Sequence, residues 1–391
     1  MTNLATKNDF SNLRNDIFLH QPQRPLKVAD IFCGAGGLSY GFAKSDFFDI
    51  IFANDIDKDA LQSYAQNHKG AKILHKDIAD ISQNELEKYG AIDILLGGPP
   101  CQSYSTLGKR KMDKRAHLFT EYLRILEILE PKAFIFENVV GLLSMQKREL
   151  FKQICKEFES LGYKIFYQIL NAVHFGVPQI RERVFVVGVH TSICSQDFAF
   201  PKPTHLSGKK GFANFITLQN ALGDLPPIKS GESGDKKGFL CEPNNEFLRF
   251  VRKSKNLSEH CSPKNNPNLI KIMQTLKDGQ CKDDLPQEIR PKSGYTNTYA
   301  KMWWRQPAPT ITRNFATPSS SRCIHPRDSR ALSIREGARL QSFPDDFVFV
   351  GSESAKRLQI GNAVPPLVSI ALANAVQEYF CEIDEDKKCL A

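Results

Sequence analysis

Apolar and polar positions along the 391 residues fall into two regimes. Up to about residue 190, short apolar runs alternate with segments of helical periodicity. The runs at residues 26–32, 50–53, 72–74, 92–96 and 133–136 predict buried strands. Between the last two, Leu118, Phe119, Tyr122, Leu123, Leu126 and Leu129 recur at helical spacing, and Pro131 stops that helix. A helix over 147–161, a strand over 163–170 and a buried strand over 184–189 complete the regime near His190. Strands alternating with helices predict an α/β fold: a doubly wound, mostly parallel sheet with helices on each face.

From residue 198 to about 300 the periodicity weakens, and Pro, Gly, Asn and Lys become frequent. The stretch is too long, and too rich in Phe and Leu, to be a linker. It predicts a second, smaller domain. Periodicity returns in a helix over 332–341 and an apolar helix over 367–380.

Charge sharpens this division. The chain carries a net +9, and residues 201–300 hold 16 Lys and Arg against 10 Asp and Glu. That quarter therefore carries +6 and the remainder +3, which points to a polyanion partner for the irregular segment. No stretch reaches the roughly 18 apolar residues of a membrane span, and residues 1–24 are polar without a signal-peptide core. The expected compartment is the cytoplasm. Ten cysteines without a Cys-x-x-Cys pair indicate neither a metal centre nor a disulfide framework.

The ends of the predicted strands carry the candidate chemistry. The first is followed by Cys33-Gly34-Ala35-Gly36-Gly37-Leu38-Ser39, a turn that brings backbone close to a ligand. Ser39 stands where a dinucleotide fingerprint needs its third glycine, which disfavours NAD. Asp55, about twenty residues beyond Gly34, is placed to accept from ribose hydroxyls. At the third strand end, Asp77 and Ile78 can bind an adenine amino group and cover its ring. Each acid alone reads equally well as a helix cap or turn residue.

The fourth strand runs into Gly97-Gly98-Pro99-Pro100-Cys101-Gln102, a rigid turn that ends on a thiol suited to nucleophilic attack. The bland alternative is a small buried hydrophobe. Residues 103–115 are small, polar and basic, as in a lid with phosphate contacts. The fifth strand delivers Glu137, whose apolar neighbours favour a raised pKa and proton donation; a carboxylate satisfied by backbone amides is the alternative. In Gln179-Ile180-Arg181-Glu182-Arg183 the alternation puts Arg181 and Arg183 on one face, to bind a base carbonyl and hold a carboxylate.

Pro100-Cys101-Gln102, Phe136-Glu137-Asn138-Val139 and Gln179-Ile180-Arg181-Glu182-Arg183, in that order, resemble the DNA (cytosine-5)-methyltransferase family, specifically its bacterial restriction-modification type. So do Met302-Trp303-Trp304, Arg322-Cys323-Ile324-His325-Pro326 and Gln359-Ile360-Gly361-Asn362. The resemblance implies S-adenosylmethionine as methyl donor, double-stranded DNA as substrate, and no metal. It implies Cys101 as nucleophile, with Glu137, Arg181 and Arg183 as its catalytic partners. Cofactor contacts would come from Phe32 packing on the adenine, Gly34, Gly36, Gly37, Asp55, Ile56, Asp77, Ile78, Pro99, Leu118, Asn362 and Val364.

The implied organisation is an arm at 1–24, a catalytic and cofactor-binding domain at 25–197, a target-recognition domain at 198–350, and at 351–391 a C-terminal helix returning to the catalytic domain. A monomer acting alongside an independent restriction endonuclease, associated with the nucleoid, is the expected setting. The alternatives are a tRNA cytosine-5 methyltransferase and a catalytically inactive DNA-binding protein. The Cys-Phe-Thr signature of the tRNA branch is absent, and both Cys101 and Glu137 are present.

Overall fold

A computed structural model describes residues 24–100, 117–144 and 149–389, apart from Ser293 and Thr296. Cys101 and the basic stretch after it lie outside the described residues, as does the arm before Arg24.

Seven strands form one sheet: β1 (Leu26–Ile31), β2 (Phe48–Asp55), β3 (Lys72–His75), β4 (Ile94–Gly97), β5 (Ala133–Val139), β6 (Tyr163–Asn171) and β7 (Glu182–His190). Their order is β3-β2-β1-β4-β5-β7-β6, and β7 alone runs antiparallel to its neighbours. The helices of this half are α1 (Tyr40–Ala43), α2 (Lys58–Asn67), α3 (Gln83–Glu87), α4 (His117–Leu129) and α5 (Glu149–Ser160).

Successive side chains of a strand point to opposite faces, and here both faces are buried. Ile94 and Leu96 of β4, with Ile135 of β5 and Val187 of β7, enter one core. Leu95, Phe134, Phe136 and Val186 enter the other, where they meet Phe119 and Tyr122 of α4 and Ile154 and Phe158 of α5. At Gly188 of β7 a Cβ would sit 2.0 Å from the Phe134 ring, so only glycine fits opposite that aromatic. The predicted strands and the helix of α4 are found close to their expected limits. β2 and β5 run longer than their apolar runs, because polar residues at their ends still pair.

The first core extends into the rest of the chain, taking in Leu218, Phe247, Met302, Phe315, Leu340 and Phe343. Residues 198–350 carry only short elements: α6 (Leu218–Leu222), α7 (Glu246–Val251), α8 (Pro267–Thr275), a two-stranded sheet of β8 (Ala300–Lys301) and β9 (Arg322–Ile324), and α9 (Ile334–Leu340). Buried ions bind this region together. Arg330 donates to both carboxylate oxygens of Glu336, at 2.7 and 2.8 Å, and to Asp328. Arg339 bridges Asp345 and Asp224. All four groups at the centre of these pairs, Arg330, Glu336, Arg339 and Asp224, are buried.

The chain finishes in α10 (Glu353–Asn362) and α11 (Pro366–Cys389). α11 lies against α1 so closely that a Cβ on Gly41 would fall 2.4 Å from the Ser369 carbonyl oxygen. The Ser369 hydroxyl accepts from the Gly41 amide at 2.8 Å and donates to the Leu38 carbonyl. The start of α11 is thereby fixed to the turn that follows β1. No helix among the described residues is long and apolar enough to cross a membrane.

Candidate active site

The strand order changes direction at β1, with β2 on one side and β4 on the other. Crevices at such a point, beyond the carboxyl ends of the strands, are where open α/β sheets bind ligands. A cavity of about 440 Å³ opens there. Its wall is built from the turn after β1, the ends of β2 and β3, the turn after β4, the start of α4, Glu137 of β5, and residues 358–364.

The turn after β1 is made by backbone that most residues avoid. Phe32 has φ 54°, Gly34 φ 53° and Gly36 φ 90°. A left-handed phenylalanine costs on the order of 1–3 kcal/mol, and in this conformation Phe32 lines the cavity. Gly34 faces open space, with nothing within 4 Å of where its Cβ would be. Gly36 answers a different demand: a Cβ there would lie 2.2 Å from the His68 ring. At Gly37 it would meet the Val364 carbonyl oxygen at 2.4 Å, so this glycine lets the C-terminal segment cross the turn. Gly34 and Gly37 line the cavity; Gly36 and Pro99 do not.

Asp55, at the end of β2, accepts from the Gly34 amide at 2.8 Å and the Asp57 amide at 2.9 Å. It therefore ties the glycine turn to its own strand while lining the cavity. Burial raises its pKa against the pull of those two amides. Asp77 accepts from the Ala79 amide at 3.1 Å, and it too lines the cavity, with Ile78 beside it. The cap and the cavity-facing roles of these acids thus coexist. Ile56 is 67 % exposed at the rim, and Leu118 of α4, Asn362 and Val364 complete the wall.

On the far side of β4, Gly97 pairs with Phe136, which sets the Gly-Pro-Pro turn beside Glu137. A Cβ on Gly98 would come within 3.0 Å of the Glu137 Oε2, so glycine admits the carboxyl. The Asn138 amide donates to the Pro99 carbonyl at 3.0 Å and fixes the turn from the next strand. Pro100 reaches the cavity, and Cys101 follows it outside the described residues.

Register places Arg183 opposite Val139, two positions from Glu137 on the same face. Arg183 Nε lies 3.0 Å from Glu137 Oε1. Burial raises the Glu137 pKa, and Arg183 and then Arg181 oppose that rise. Arg181, though its charge is felt at Glu137, spends its donors elsewhere. Its guanidinium is buried and donates to the carbonyls of Ile311, Gly361 and Ala363 at 2.9 to 3.0 Å. Burial and the neighbouring Arg183 lower its pKa to about 9, leaving it cationic at neutral pH. Arg183 holds the acid, and Arg181 holds the chain that closes the cavity.

Asp30, Cys33, Lys76 and Gln359 are among the cavity residues that the motifs do not mark for the cofactor. Asp30 carried a signal, the one acid of β1, set between the apolar Ala29 and Ile31. Gln359, buried in α10 and accepting from the Ser63 hydroxyl at 2.7 Å, opens the Gln359-Ile360-Gly361-Asn362 motif, whose resemblance marks only Asn362 for the cofactor.

Comparison with known proteins agrees with this geometry. Residues 26–378 match the family described as C-5 cytosine-specific DNA methylase. The chain is 32 % identical over 358 residues to the type II methyltransferase M1.HphI of Haemophilus parahaemolyticus, covering 90 % of this chain and 86 % of that one. It is 34 % identical to M.NgoFVII of Neisseria gonorrhoeae, over 93 % and 90 % of the two chains. A solved structure described as a DNA modification methyltransferase encoded within an Escherichia coli prophage shares the fold. Its TM-score is 0.73 at 24 % identity, over 91 % of this chain and 99 % of that one. The chain belongs to the C-5 cytosine-specific DNA methylase family and is a DNA (cytosine-5) methyltransferase.

Proposed function

We propose that this enzyme methylates carbon 5 of one cytosine within a short, specific double-stranded DNA sequence, as the modification partner of a restriction endonuclease. Cys101 is the nucleophile and Glu137 the acid in this reading. The observation that carries it is the pairing of the Gly98-Pro99-Pro100 turn with Glu137 across β4 and β5 at the mouth of the cavity. The relatives' designation as type II methyltransferases supports the restriction-modification setting.

Carbon 5 of cytosine is a weak nucleophile. Attack of the Cys101 thiolate on carbon 6 makes it electron-rich. Burial raises the Glu137 pKa against the pull of Arg183 and Arg181, which favours its sharing a proton with ring nitrogen 3, where negative charge would otherwise build. Arg183 fixes the carboxyl's orientation at 3.0 Å and can reach the carbonyl at carbon 2. Methyltransferases acting on a base within a duplex extrude it first, at a cost of a few kcal/mol.

The cavity's donor set fits S-adenosylmethionine, which supplies the methyl group when bound. Asp55 suits the ribose hydroxyls, Asp77 and Ile78 the adenine, and Phe32 a ring face. Residues 358–364 cover the cavity from the C-terminal side. Residues 198–350 act as a target-recognition domain, for which their positive charge and irregular loops argue.

The test is duplex DNA carrying 5-fluorocytosine, whose fluorine cannot leave as the proton does. With S-adenosylmethionine present, the wild type becomes covalently joined to DNA and Cys101→Ser does not. A wild type that methylates DNA without ever forming that adduct would refute the assignment of Cys101.

A further inference from the structure

The proposed reaction takes a cytosine out of a base stack, and the groups assigned so far act on that base rather than on the gap it leaves. Tyr295, in the second region, is 87 % exposed; the next large apolar side chain among the described residues, Ile56, reaches 67 %. A ring in solvent is by itself an ordinary surface feature. Tyr295 differs in how its backbone is held and in where that backbone lies.

The Tyr295 carbonyl is fixed from beneath by Thr298, which is buried and donates to it from its amide at 2.9 Å and from its hydroxyl at 2.7 Å. The carbonyl of the preceding Gly294 accepts from the Lys282 ammonium. Gly294 has φ 104°, and the Thr298 hydroxyl leaves no room for a Cβ on it. The tip is also basic. Arg290 and Lys292 are exposed, and no acid occurs from residue 289 to residue 301. A rigid basic tip that presents an aromatic ring suits nucleic acid, with cations for the phosphates and a flat face for the bases.

Backbone contacts lead from this tip to the active site. The Tyr299 amide donates to the Pro318 carbonyl at 2.6 Å, which lays the tip against residues 312–320. Those residues border the site from the second region. Gly361 packs so tightly on Arg313 that a Cβ would collide with the Arg313 amide nitrogen, and the adjoining Asn362 lines the cofactor cavity. Just upstream, the Thr310 hydroxyl donates to the Ile180 carbonyl at 2.9 Å, and the Ile311 carbonyl accepts from Arg181 at 2.9 Å, two positions from Arg183. One short segment therefore separates the Tyr295 tip from the strand that holds Glu137 in place.

We propose that Tyr295 is a wedge: its ring inserts into the duplex beside the target cytosine and stacks on the bases that the extruded cytosine leaves behind. The inference rests on the double-stranded target proposed above. Stacking of the ring offsets part of the cost of unpairing and unstacking the cytosine. The phenol oxygen has no part in this, because the face of the ring makes the contact. Two other roles compete: a hydroxyl that reads a base edge or a phosphate, and a solvated side chain that touches no DNA. They differ in what the ring, the hydroxyl and the strength of the target pair each contribute.

The experiment uses the full-length enzyme, saturating S-adenosylmethionine and two duplexes bearing the site mapped by bisulfite sequencing of host DNA. In one the target cytosine faces guanine. In the other it faces an abasic site, so no pairing resists its extrusion. Single-turnover methylation at saturating enzyme is followed for the wild type, Tyr295→Ala and Tyr295→Phe. On the paired duplex Tyr295→Ala should be slower by about ten- to a hundredfold, the usual effect of removing a stacked ring. On the abasic duplex it should come within about threefold of the wild type, because little opening is left to assist. Tyr295→Phe should match the wild type on both. The activity of Tyr295→Ala on the abasic duplex shows in the same assay that the variant is folded. Wild-type speed of Tyr295→Ala on the paired duplex, an equal loss on the two duplexes, or the same loss in Tyr295→Phe would each overturn the proposal. Failure of the wild type to methylate the paired duplex would instead remove the reading of a double-stranded target on which this inference rests.

Discussion

The two halves of the chain are stabilised by different means. In residues 24–190 the sheet buries both faces, and the strands supply aliphatic and aromatic side chains to two cores. In residues 198–350 regular elements are short, and buried arginine–carboxylate pairs cross-link segments distant in sequence, such as Arg339 of α9 with Asp224. A hydrophobic sheet gives a rigid platform on which strand ends can be functional. A loop region stapled by ions leaves its surface free to vary. In the proposed division, the first region carries the chemistry and the second the choice of target.

The comparison breaks most sharply at Glu137. Glu137→Gln keeps the shape and removes the transferable proton, so kcat should fall by about 10²–10⁴ while the melting temperature changes little. A single-turnover methylation assay on duplex DNA checks this, and an unchanged rate would reassign Glu137 to a structural role.

In the second region the matching change is Glu336→Gln, which leaves Arg330 buried without its bidentate partner. Breaking a buried pair in this way costs about 3–5 kcal/mol, seen as a lowered denaturant midpoint. Arg330 and the neighbouring histidines hold the Glu336 carboxyl well below the usual range against the effect of burial. A carboxyl with a depressed folded-state pKa contributes stability that is present above its unfolded value and lost as pH falls below it. The gap between wild type and Glu336→Gln should therefore narrow below about pH 4.

How much of this was legible in the sequence follows the same boundary. β1 to β5 and α4 announce themselves through periodicity, and the residues immediately past those strands are the ones the cavity collects. What escaped depends on contacts between distant segments. Gly36 and Gly37 read as ligand-facing glycines; Gly36 instead makes room for His68, and Gly37, which lines the cavity, also makes room for the Val364 carbonyl. Arg181 and Arg183 are indistinguishable by alternation, and only the path of residues 311–363 shows that Arg181 is engaged with backbone. Glu336 and Arg330 carry no periodic signal, because each is defined by a partner and by the burial around both.

The smallest effect expected is on the exposed surface of the second region. Lys253 is exposed after α7, with its ammonium 3.2 Å from the Arg249 carbonyl. Lys253→Ala should weaken binding to all DNA sequences alike and reduce the slope of log affinity against log salt by about 1. Loss of affinity for one sequence only would make Lys253 a base reader instead.

The central claim is that the sheet region performs the reaction while residues of about 200–325 choose the sequence. Phosphate contacts fix register and base contacts select the site, and the +6 charge lies in this segment. The direct measurement exchanges these residues for those of a relative with a different target, and maps methylated cytosines in host DNA by bisulfite sequencing. The account predicts an active chimera that marks the relative's site, with the cofactor affinity of the parent. An active chimera that still marks the parent's site would contradict it.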